Sequence, residues 1–372
     1  MSRARLRSRA EQMLADADVR LNGQRPTDLV IRDERVFERV FAHGTLGFGE
    51  AYMDGDWEAE DLPSLLTRLL KLRLDERLRG PEALLLWARA RFLDLQRGER
   101  TWTIGKAHYD LGNDLFAVML GKRLVYSCGY WAAATDLDAA QEAKLDLVCR
   151  KLQLKPGMRV LDIGCGWGEA LKYAAEHYGI SGVGITVSAQ QAEFARVLCT
   201  GLPIEIRLQD YRAVHEHFDA VFSIGMFEHV GARNYERYFD MVRRCLVPDG
   251  LSLLHTIGIN GVPDRPDPWI ERYIFPNSQV PAMSQVAKAL ESRFVVEDWH
   301  NFGADYESTL LAWLANFDAA WPRLASRYDE RFRRMWRFYL AASAATFRTR
   351  RDQLWQLVLS PRGVPGGYQA PR

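Results

Sequence analysis

The alternation of apolar and polar positions divides the chain into two regions. Over residues 1 to about 95, apolar residues recur three and four apart in segments such as 62–74 and 81–95, which is typical of amphipathic helices. A glycine-rich link runs through residues 44–55, and the pattern indicates no ladder of strands before residue 95. We therefore predict a small helical N-terminal domain over residues 1–95.

From about residue 155, short apolar runs alternate with amphipathic segments. This alternation predicts an α/β fold with a doubly wound, mostly parallel sheet, in which ligands bind at the carboxyl ends of the strands. We place this second domain over residues 96–372. The predicted strands are 158–163, 180–187, 204–209, 218–224 and 251–257, with helices from residue 168 and over 189–200 and 233–246.

The first of these strands runs directly into three glycines. Residues 158–168, MRVLDIGCGWG, pass from an apolar run through Asp162 to Gly164, Gly166 and Gly168. Because glycine has no side chain and permits positive φ, such a turn brings backbone N–H groups against a nucleotide-like ligand. The spacing is GxGxG rather than the GxGxxG of a dinucleotide site, which favours S-adenosylmethionine (SAM) over NAD.

The end of the second strand carries neutral side chains. An NAD site calls for an acidic residue here, which binds the ribose hydroxyls. The chain instead has Thr186, Ser188, Gln190 and Gln191, whose groups can donate to and accept from a ribose. This difference also favours SAM over NAD and leaves other nucleotide-like ligands open.

The composition excludes several classes of protein. With 372 residues, 48% of them hydrophobic, the chain is long enough to bury one large core and a smaller lobe. A net charge of +1 gives no general attraction to nucleic acid. No apolar run approaches the length that spans a membrane, and no signal peptide is recognised.

The cysteines indicate neither a metal site nor a disulfide framework. They are odd in number and scattered, and no CxxC pair occurs among them. This usage fits a reducing cytoplasm. The five are Cys128, Cys149, Cys165, Cys199 and Cys245.

Polar residues also follow the later strands. Gln209 and Asp210, with Tyr211, either hold the adenine of the ligand or form an ordinary turn. Glu228 follows the fourth strand beside apolar neighbours, and a buried carboxylate normally has a partner or a function. His255 lies inside the apolar fifth strand, where a lone histidine is by itself more typical of a core.

Aromatic residues are concentrated after the fifth strand. Residues 260–280 hold too many prolines for a regular helix and too many aromatic residues for a solvated loop. Trp299, Phe302, Tyr306 and Trp313 continue this composition. We predict an aromatic lid or pocket wall around residues 260–315, with an ordinary aromatic core as the alternative.

Nine short stretches together resemble one family. They are GTLGFGEAYMDGDW (44–57), HYDLGNDLF (108–116), YSCGYW (126–131), LDIGCGWG (161–168), QDYR (209–212), GMFEHVG (225–231), LLHTIG (253–258), DPWIERYIFPN (267–277) and DWHNFGADY (298–306). In this order they resemble the cyclopropane-fatty-acyl-phospholipid synthases, from about residue 35 to residue 360. The resemblance implies a Rossmann-like SAM-dependent methyltransferase sheet preceded by a helical domain.

The activity implied by this resemblance is the addition of a methylene from SAM across the cis double bond of unsaturated acyl chains in membrane phospholipids. The alkene takes the methyl group and becomes a carbocation, which aromatic faces stabilise and exclusion of water protects. In this family a bound bicarbonate ion is the general base that removes the methyl proton, and the ring then closes to a cyclopropane.

The resemblance also implies the site residues. The bicarbonate site would be formed by the backbones of Cys128 and Ile257 with the side chains of Glu228, His255 and Tyr306. The Cys128 thiol would not act as a nucleophile. SAM would be contacted by Tyr109, Tyr126, Ser127, Gly164, Gly166, Thr186, Gln191, Gln209 and Asp210.

A cytoplasmic homodimer, peripherally associated with the inner membrane through its helical domain, is implied as well. Arg3, Arg5, Arg7 and Arg9 would each add about 1 kcal/mol of attraction to an anionic leaflet, or else belong to a solvated, mobile terminus. Two alternative functions stay open. One is a SAM-dependent enzyme that methylates or hydroxylates an acyl chain on a carrier protein, and the other is a non-catalytic lipid-binding protein.

One residue of the glycine turn departs from the family. Close relatives usually have glycine where this chain has Glu169, in the first turn of the following helix. A carboxylate there suits the helix dipole but would repel the SAM carboxylate if it pointed inward. We therefore expect Glu169 to face solvent.

Overall fold

The computed structural model describes residues 3–73, 113–261, 267–276 and 278–372. The predicted boundary after residue 95 and the predicted helix 81–95 lie outside these residues. The chain divides into two compact units, and the first takes in two late segments that the pattern assigned to the second domain. The first unit is Met1–Leu115, Arg265–Asn277 and Leu310–Arg351, and the second is Phe116–Asp264, Ser278–Thr309 and Asp352–Arg372.

The order of elements confirms the α/β prediction, and the strands and helices predicted between residues 158 and 257 are all present. The strands are β1 Val30–Ile31, β2 Trp57–Glu58, β3 Arg159–Ile163, β4 Ser181–Thr186, β5 Ile204–Leu208, β6 Phe218–Ile224, β7 Leu246–Gly258, β8 Val295–Asn301 and β9 Gln353–Ser360. The α-helices of the described residues are α1 Arg3–Asp16, α2 Arg35–Met53, α3 Leu62–Lys71, α4 Asn113–Met119, α5 Leu137–Lys151, α6 Glu169–Tyr178, α7 Ala189–Leu198, α8 Tyr235–Cys245, α9 Pro268–Tyr273, α10 Met283–Leu290, α11 Ala304–Leu324 and α12 Glu330–Arg348.

The second unit is built on one sheet with the strand order β5-β4-β3-β6-β7-β9-β8. Strands β5 to β7 run parallel, whereas β9 is antiparallel to both β7 and β8. Since β4 and β6 lie on opposite sides of β3, the chain changes direction at β3. Ligands bind at such a switch point, outside the carboxyl ends of the strands.

Alternate residues of the strands supply two cores. Leu161 and Ile163 of β3 pack with α8 and α10 on one face of the sheet. Val160 of the same strand packs with α5, α6 and α7 on the other face. This division follows the two-residue period of a strand and fixes which side chains of β3, β6 and β7 reach each face.

The pattern missed the strands β8 and β9. Residues 298–306 appeared to belong to an aromatic lid, but Trp299 and His300 lie in the edge strand β8. Every residue of β9 is buried, because this strand inserts between β7 and β8. A strand covered on both faces has no polar alternation, which is the signal that identifies a half-exposed strand.

The first unit has an aromatic core, and its glycines serve packing. Residues 44–55 were predicted to be a link, but most of them are helical: α2 extends to Met53 and is kinked at Gly44, whose φ of 58° and ψ of −131° are non-helical. A Cβ on Gly49 would lie 2.4 Å from the Trp269 ring, so glycine at 49 lets the helix approach that indole. Phe338 packs edge-on against Trp269 at a centroid distance of 4.7 Å.

The N-terminal arginines belong to a helix rather than to a mobile terminus. Arg3 pairs with Glu38 at 2.8 Å, and Arg7 pairs with Glu11 and Glu34. Arg5 is exposed. The cationic character of this segment is therefore partly neutralised within the first unit. In the described part of the chain, no helix is both long and apolar enough to cross a membrane.

A buried ion pair gives a first prediction, for stability. Lys151 is fully buried, and its Nζ lies 2.9 Å from Oδ2 of Asp298, which also binds the Arg372 guanidinium. Asp298→Ala should lower the free energy of unfolding by about 3–5 kcal/mol, because it leaves a buried ammonium without a counter-charge. Urea denaturation at neutral pH measures this. Asp240→Ala, which removes an exposed partner of Arg293, should cost less than about 1 kcal/mol.

The pH dependence of this loss has a definite sign. Burial lowers the pKa of Lys151 to about 8, so the unfolded chain binds the proton more tightly than the folded one. The free energy of unfolding therefore rises as the pH passes the folded-state pKa of about 8. Removal of Asp298 lowers this pKa of Lys151 further. The destabilisation by Asp298→Ala should shrink as the pH is raised to about 9. A loss that stays constant with pH would show that packing, not charge, is responsible.

Candidate active site

The glycine turn after β3 forms an open cradle. Gly164, Gly166 and Gly168 all have positive φ, of 85°, 55° and 91°. The N–H groups of Gly164 and Cys165 donate to the Ile185 carbonyl of β4, at 2.9 and 3.0 Å, which holds the turn against the neighbouring strand end. Among the described atoms, none lies within 4 Å of where a Cβ on Gly166 would be. The turn thus leaves room for a ligand at its tip.

The predicted contacts at the next two strand ends lie side by side. Thr186 Oγ1 donates to Gln191 Oε1 at 3.0 Å and accepts from the Ser188 N–H. Gln209 N donates to the Thr186 carbonyl at 3.0 Å, so β4 and β5 end together. Asp210 accepts from the Arg212 N–H at 2.9 Å, which makes it the cap of a short 3₁₀ turn. Tyr109 lies outside the described residues.

The segment from Tyr126 to Trp131 is held from two sides. Gln141 of α5 donates to the Ser127 carbonyl and Lys144 donates to the Ser127 hydroxyl, both at 2.8 Å. From α11, Thr309 accepts from the Gly129 N–H at 3.0 Å, and Asp305 accepts from the Trp131 N–H at 2.7 Å. The Tyr126 ring packs on Phe116, which also packs on Trp167 of the glycine turn.

Glu228 lies where this segment meets the ends of β6 and β7. A Cβ on Gly225, at the end of β6, would lie 4.0 Å from the Ser127 Cβ, and the Gly225 N–H donates to the His255 carbonyl. Glu228 Oε1 accepts from the Ile257 N–H at 2.7 Å. Its Oε2 is buried and has no hydrogen-bond partner among the described residues. Burial raises the pKa of this carboxyl, and the backbone N–H groups around it oppose the shift.

His255 is fully buried in β7 and held by the neighbouring strand. Its Nδ1 lies 3.2 Å from Nε2 of Gln356, the residue paired with it on β9. Its Nε2 is buried without a partner among the described residues. Burial, together with the cations Lys144 and Lys151, keeps the pKa of the imidazole well below its usual range, so the ring is neutral.

The other two predicted catalytic residues lie in the same unit. Tyr306 is nearly buried in the first turn of α11, between the two residues of that helix that hold the 129–131 backbone. Cys128 is fully buried, and its thiol donates to the Gly129 carbonyl. Burial raises the pKa of this thiol, so it stays protonated, in agreement with a role for its backbone rather than its sulfur.

The expectation for Glu169 is wrong. Its side chain is buried, and its Oε2 lies 3.7 Å from an Arg123 guanidinium nitrogen. Burial raises the pKa of the carboxyl, and Lys172 and Arg123 oppose that shift. The carboxylate is thus turned to a cation of this unit rather than to solvent. The sequence around Glu169 does not indicate this contact, because Arg123 lies 46 positions earlier in the chain.

The predicted aromatic segment is divided between the units. Trp269 and Tyr273 belong to the first unit, where Asp267 and Pro268 begin α9. Phe302 belongs to the second unit, and its ring lies 5.8 Å from the His255 ring and 5.4 Å from Tyr130. Residues 260–315 are therefore several elements and not one lid.

Three polar residues near the site were not among the predicted site residues. Lys144 and Gln356 are fully buried, and Asp162 at the end of β3 is nearly so, with its Oδ1 unpartnered among the described residues. Lys144 lies in a helix and Gln356 in an apolar strand, so neither stands out locally. The acidic residue before the glycine turn is visible in the sequence, but its burial is not.

Comparison with known proteins identifies the family. Residues 96–357 match the family model described as mycolic acid cyclopropane synthetase. The cyclopropane-fatty-acyl-phospholipid synthase of Escherichia coli strain K12 is 50% identical over 364 residues, which cover 98% of this chain and 95% of that protein. The chain belongs to the cyclopropane synthetase family. Its resemblance to these synthases is thereby confirmed, and members of the family are SAM-dependent transferases.

Other members of the family are more distant. Tuberculostearic acid methyltransferase UfaA1 of Mycobacterium tuberculosis is 32% identical over 365 residues, covering 91% of this chain and 84% of that protein. The crystal structure of mycolic acid cyclopropane synthase CmaA1, complexed with SAH and CTAB, is 31% identical with a TM-score of 0.63 and covers 71% of this chain and 99% of that one. The cyclopropane synthetase sheet thus matches the Rossmann-like methyltransferase fold.

Proposed function

We propose that the protein transfers a methylene from SAM across the cis double bond of unsaturated acyl chains in membrane phospholipids, giving cyclopropane acyl chains. The observation that carries this proposal is the buried, unpartnered pair of Glu228 Oε2 and His255 Nε2 at the strand ends beside the glycine turn. After methyl transfer to a carbon–carbon double bond a proton must leave the substrate, and buried polar atoms without a partner are suited to hold the base that removes it.

The reaction sets two demands on the protein. The alkene carbon forms a bond to the SAM methyl group as the carbon–sulfur bond breaks, and S-adenosylhomocysteine (SAH) leaves. The other alkene carbon becomes a cation, which must lose a proton from the new methyl group before water reaches it. Aromatic faces contribute about 0.5–2 kcal/mol each to such a cation. Phe302, whose ring lies beside His255, and Tyr130, which packs against Phe302, would supply them.

The residues around His255 fit a small anion that has one O–H. With Gln356 Nε2 donating to Nδ1, the imidazole proton is on Nε2, which donates toward the site. Glu228 Oε2, after the neighbouring strand β6, offers an acceptor in the same strand-end cluster. Bicarbonate, held there with the backbones of Cys128 and Ile257 and the Tyr306 side chain, would supply the general base for the methyl proton.

The protein's own groups orient the proposed base and leave the cysteine inert. Ile257 anchors Glu228 through its N–H, so the carboxyl can turn only its second oxygen to the site. The Cys128 thiol stays protonated and cannot compete for the methyl group, because burial raises its pKa. SAM is bound by the open glycine cradle and by the neutral groups at the ends of β4 and β5, Thr186, Gln191, Gln209 and Asp210, with Tyr109, Tyr126 and Ser127.

The assembly and location follow from the same proposal. The enzyme works as a homodimer in the cytoplasm and meets the inner membrane peripherally, where its substrate lies. Its helical N-terminal part, with exposed Arg5, supports contact with an anionic surface. The pairing of Arg3 and Arg7 with glutamates limits that attraction.

The test uses the purified chain with SAM, bicarbonate and vesicles of unsaturated phospholipid. We expect acyl chains heavier by one methylene without the double bond, one SAH for each, and co-sedimentation of the protein with the vesicles at low salt. In buffer freed of bicarbonate, turnover should fall by about 10-fold or more and recover when bicarbonate is restored.

Other outcomes point to the alternatives. A methyl branch or a hydroxyl on the acyl chain would favour the related methylating or hydroxylating enzymes, with a carrier-bound acyl chain tested as substrate beside the vesicles. Binding of the lipid with no release of SAH would indicate a lipid-binding protein. An unchanged rate without bicarbonate would contradict the part of the proposal that concerns the bound base. It would not contradict the methyl transfer.

A further inference from the structure

Lys144 is a fully buried cation that the proposed chemistry does not use. It lies in the middle of α5, and its Nζ donates to Ser127 Oγ at 2.8 Å. Burial of an ammonium group is costly unless the group is paired or has a task. Its surroundings include the Asp162 carboxyl at the end of β3, which carries the glycine turn.

Two residues of α5 hold Ser127 together. Gln141 and Lys144 lie three positions apart, on the same face of the helix. Gln141 Nε2 donates to the Ser127 carbonyl and Lys144 Nζ donates to the Ser127 hydroxyl. The helix therefore fixes both the backbone and the side chain of this serine.

The direction of the second hydrogen bond has a consequence for the serine. A hydroxyl has one hydrogen, and an ammonium group can only donate. When Lys144 is charged, Ser127 Oγ is its acceptor and the hydroxyl hydrogen must point elsewhere. Among the described residues no acceptor receives that hydrogen. Ser127 is next to Gly225, at the edge where β3 and β6 end.

We propose that Lys144 is a positioning residue for SAM, which directs the Ser127 hydroxyl hydrogen at the carboxylate of the bound substrate. The carboxylate is the strongest hydrogen-bond acceptor on SAM, and a hydroxyl polarised by an ammonium is a better donor to it. The inference rests on the proposed function in taking Ser127 as a SAM contact.

The charge of Lys144 makes the effect depend on pH. Burial lowers its pKa to about 7, and interactions with Cys128 and Asp162 oppose that shift. On β7, the third titratable neighbour is His255, which is neutral. Because only the ammonium form is restricted to donating, the carboxylate should bind more tightly below this pKa than above it.

The experiment measures binding of SAH, which has the same carboxylate, by titration calorimetry. Lys144→Met and Ser127→Ala should each weaken SAH by about 10-fold to 100-fold, and the double variant no more than either one. The KM for SAM should rise with them while kcat changes less. Lys155→Met, which removes an exposed lysine just after α5, is the matched control and should bind as the wild type does.

The pH dependence of SAH binding distinguishes a positioning role of Lys144 from a role in packing alone. Wild-type SAH affinity should fall by about 5-fold to 10-fold from about pH 6 to about pH 8, and Lys144→Met should show no such fall. If Lys144→Met does not fold, Ser127→Ala and the wild-type pH profile still decide. Multiplicative effects in the double variant, or a flat wild-type profile, would overturn the proposal. If wild type binds no SAH, the proposed function fails instead.

Discussion

Replacing His255 by alanine should lower kcat by about 100-fold to 1000-fold and leave the affinity for SAH within about 3-fold of wild type. The side chain is neutral and buried, and its Nε2 has no hydrogen-bond partner among the described residues. Two residues further along the same strand, the Ile257 N–H binds Glu228. In the proposed function this side chain donates to the base, so its loss removes stabilisation from the proton transfer and not from cofactor binding. Tyr306→Phe keeps the ring and should cost about 10-fold to 100-fold in kcat.

The measurement is a comparison of kcat with the dissociation constant of SAH, and thermal unfolding checks the fold. His215→Ala, at an exposed histidine, is the matched control and should resemble wild type in both. If His255→Ala binds SAH far more weakly but turns over bound SAM normally, the assignment of His255 to the base site is wrong.

Gly166→Ala should weaken SAH binding by about 10-fold or more without unfolding the protein. Among the described residues the added methyl group meets no atom within 4 Å, so it enters open space that the proposed function assigns to SAM. The φ of 55° is close to the left-handed helical region, where alanine costs about 1–2 kcal/mol of backbone strain. The loss of affinity therefore reports a steric conflict with the ligand.

Gly157→Ala is the control for that strain. Gly157 also has a positive φ, of 87°, and open space around the position of a Cβ, but it lies before β3, at the opposite end of the strand from the turn. It should lose at least as much stability as Gly166→Ala and bind SAH as the wild type does. Equal weakening of SAH in both variants would contradict the placement of the ligand at Gly166.

The parallel half of the sheet was predictable, because its signals are local. Each strand from β3 to β6 is a short apolar run bounded by turn residues. Because ligands bind at the carboxyl ends of such strands, the sequence predicts that Gly164, Thr186 and Glu228 lie at one edge of the sheet. The family resemblance then selected His255, which by pattern alone is an ordinary core histidine.

The rest depends on contacts between distant parts of the chain. Glu169 is buried against Arg123, and His255 is held by Gln356, 101 positions away. Neither contact has a periodic signal. Similarly, Gly49 was predicted to lie in a link, whereas glycine is required there because the indole of Trp269 leaves no room for a Cβ. Such requirements are set by packing, which a local pattern does not contain.

The position of β9 has a consequence for how the enzyme is made. It follows both β7 and β8 in the chain, yet it lies between them in the sheet, so its two neighbours leave the ribosome earlier. Until β9 arrives, His255 lacks the neighbour that sets its tautomer, and β8 has no strand to pair with. Domains fold as units during synthesis, so the second unit completes its sheet, and with it the contact between His255 and Gln356, only after β9 has left the ribosome.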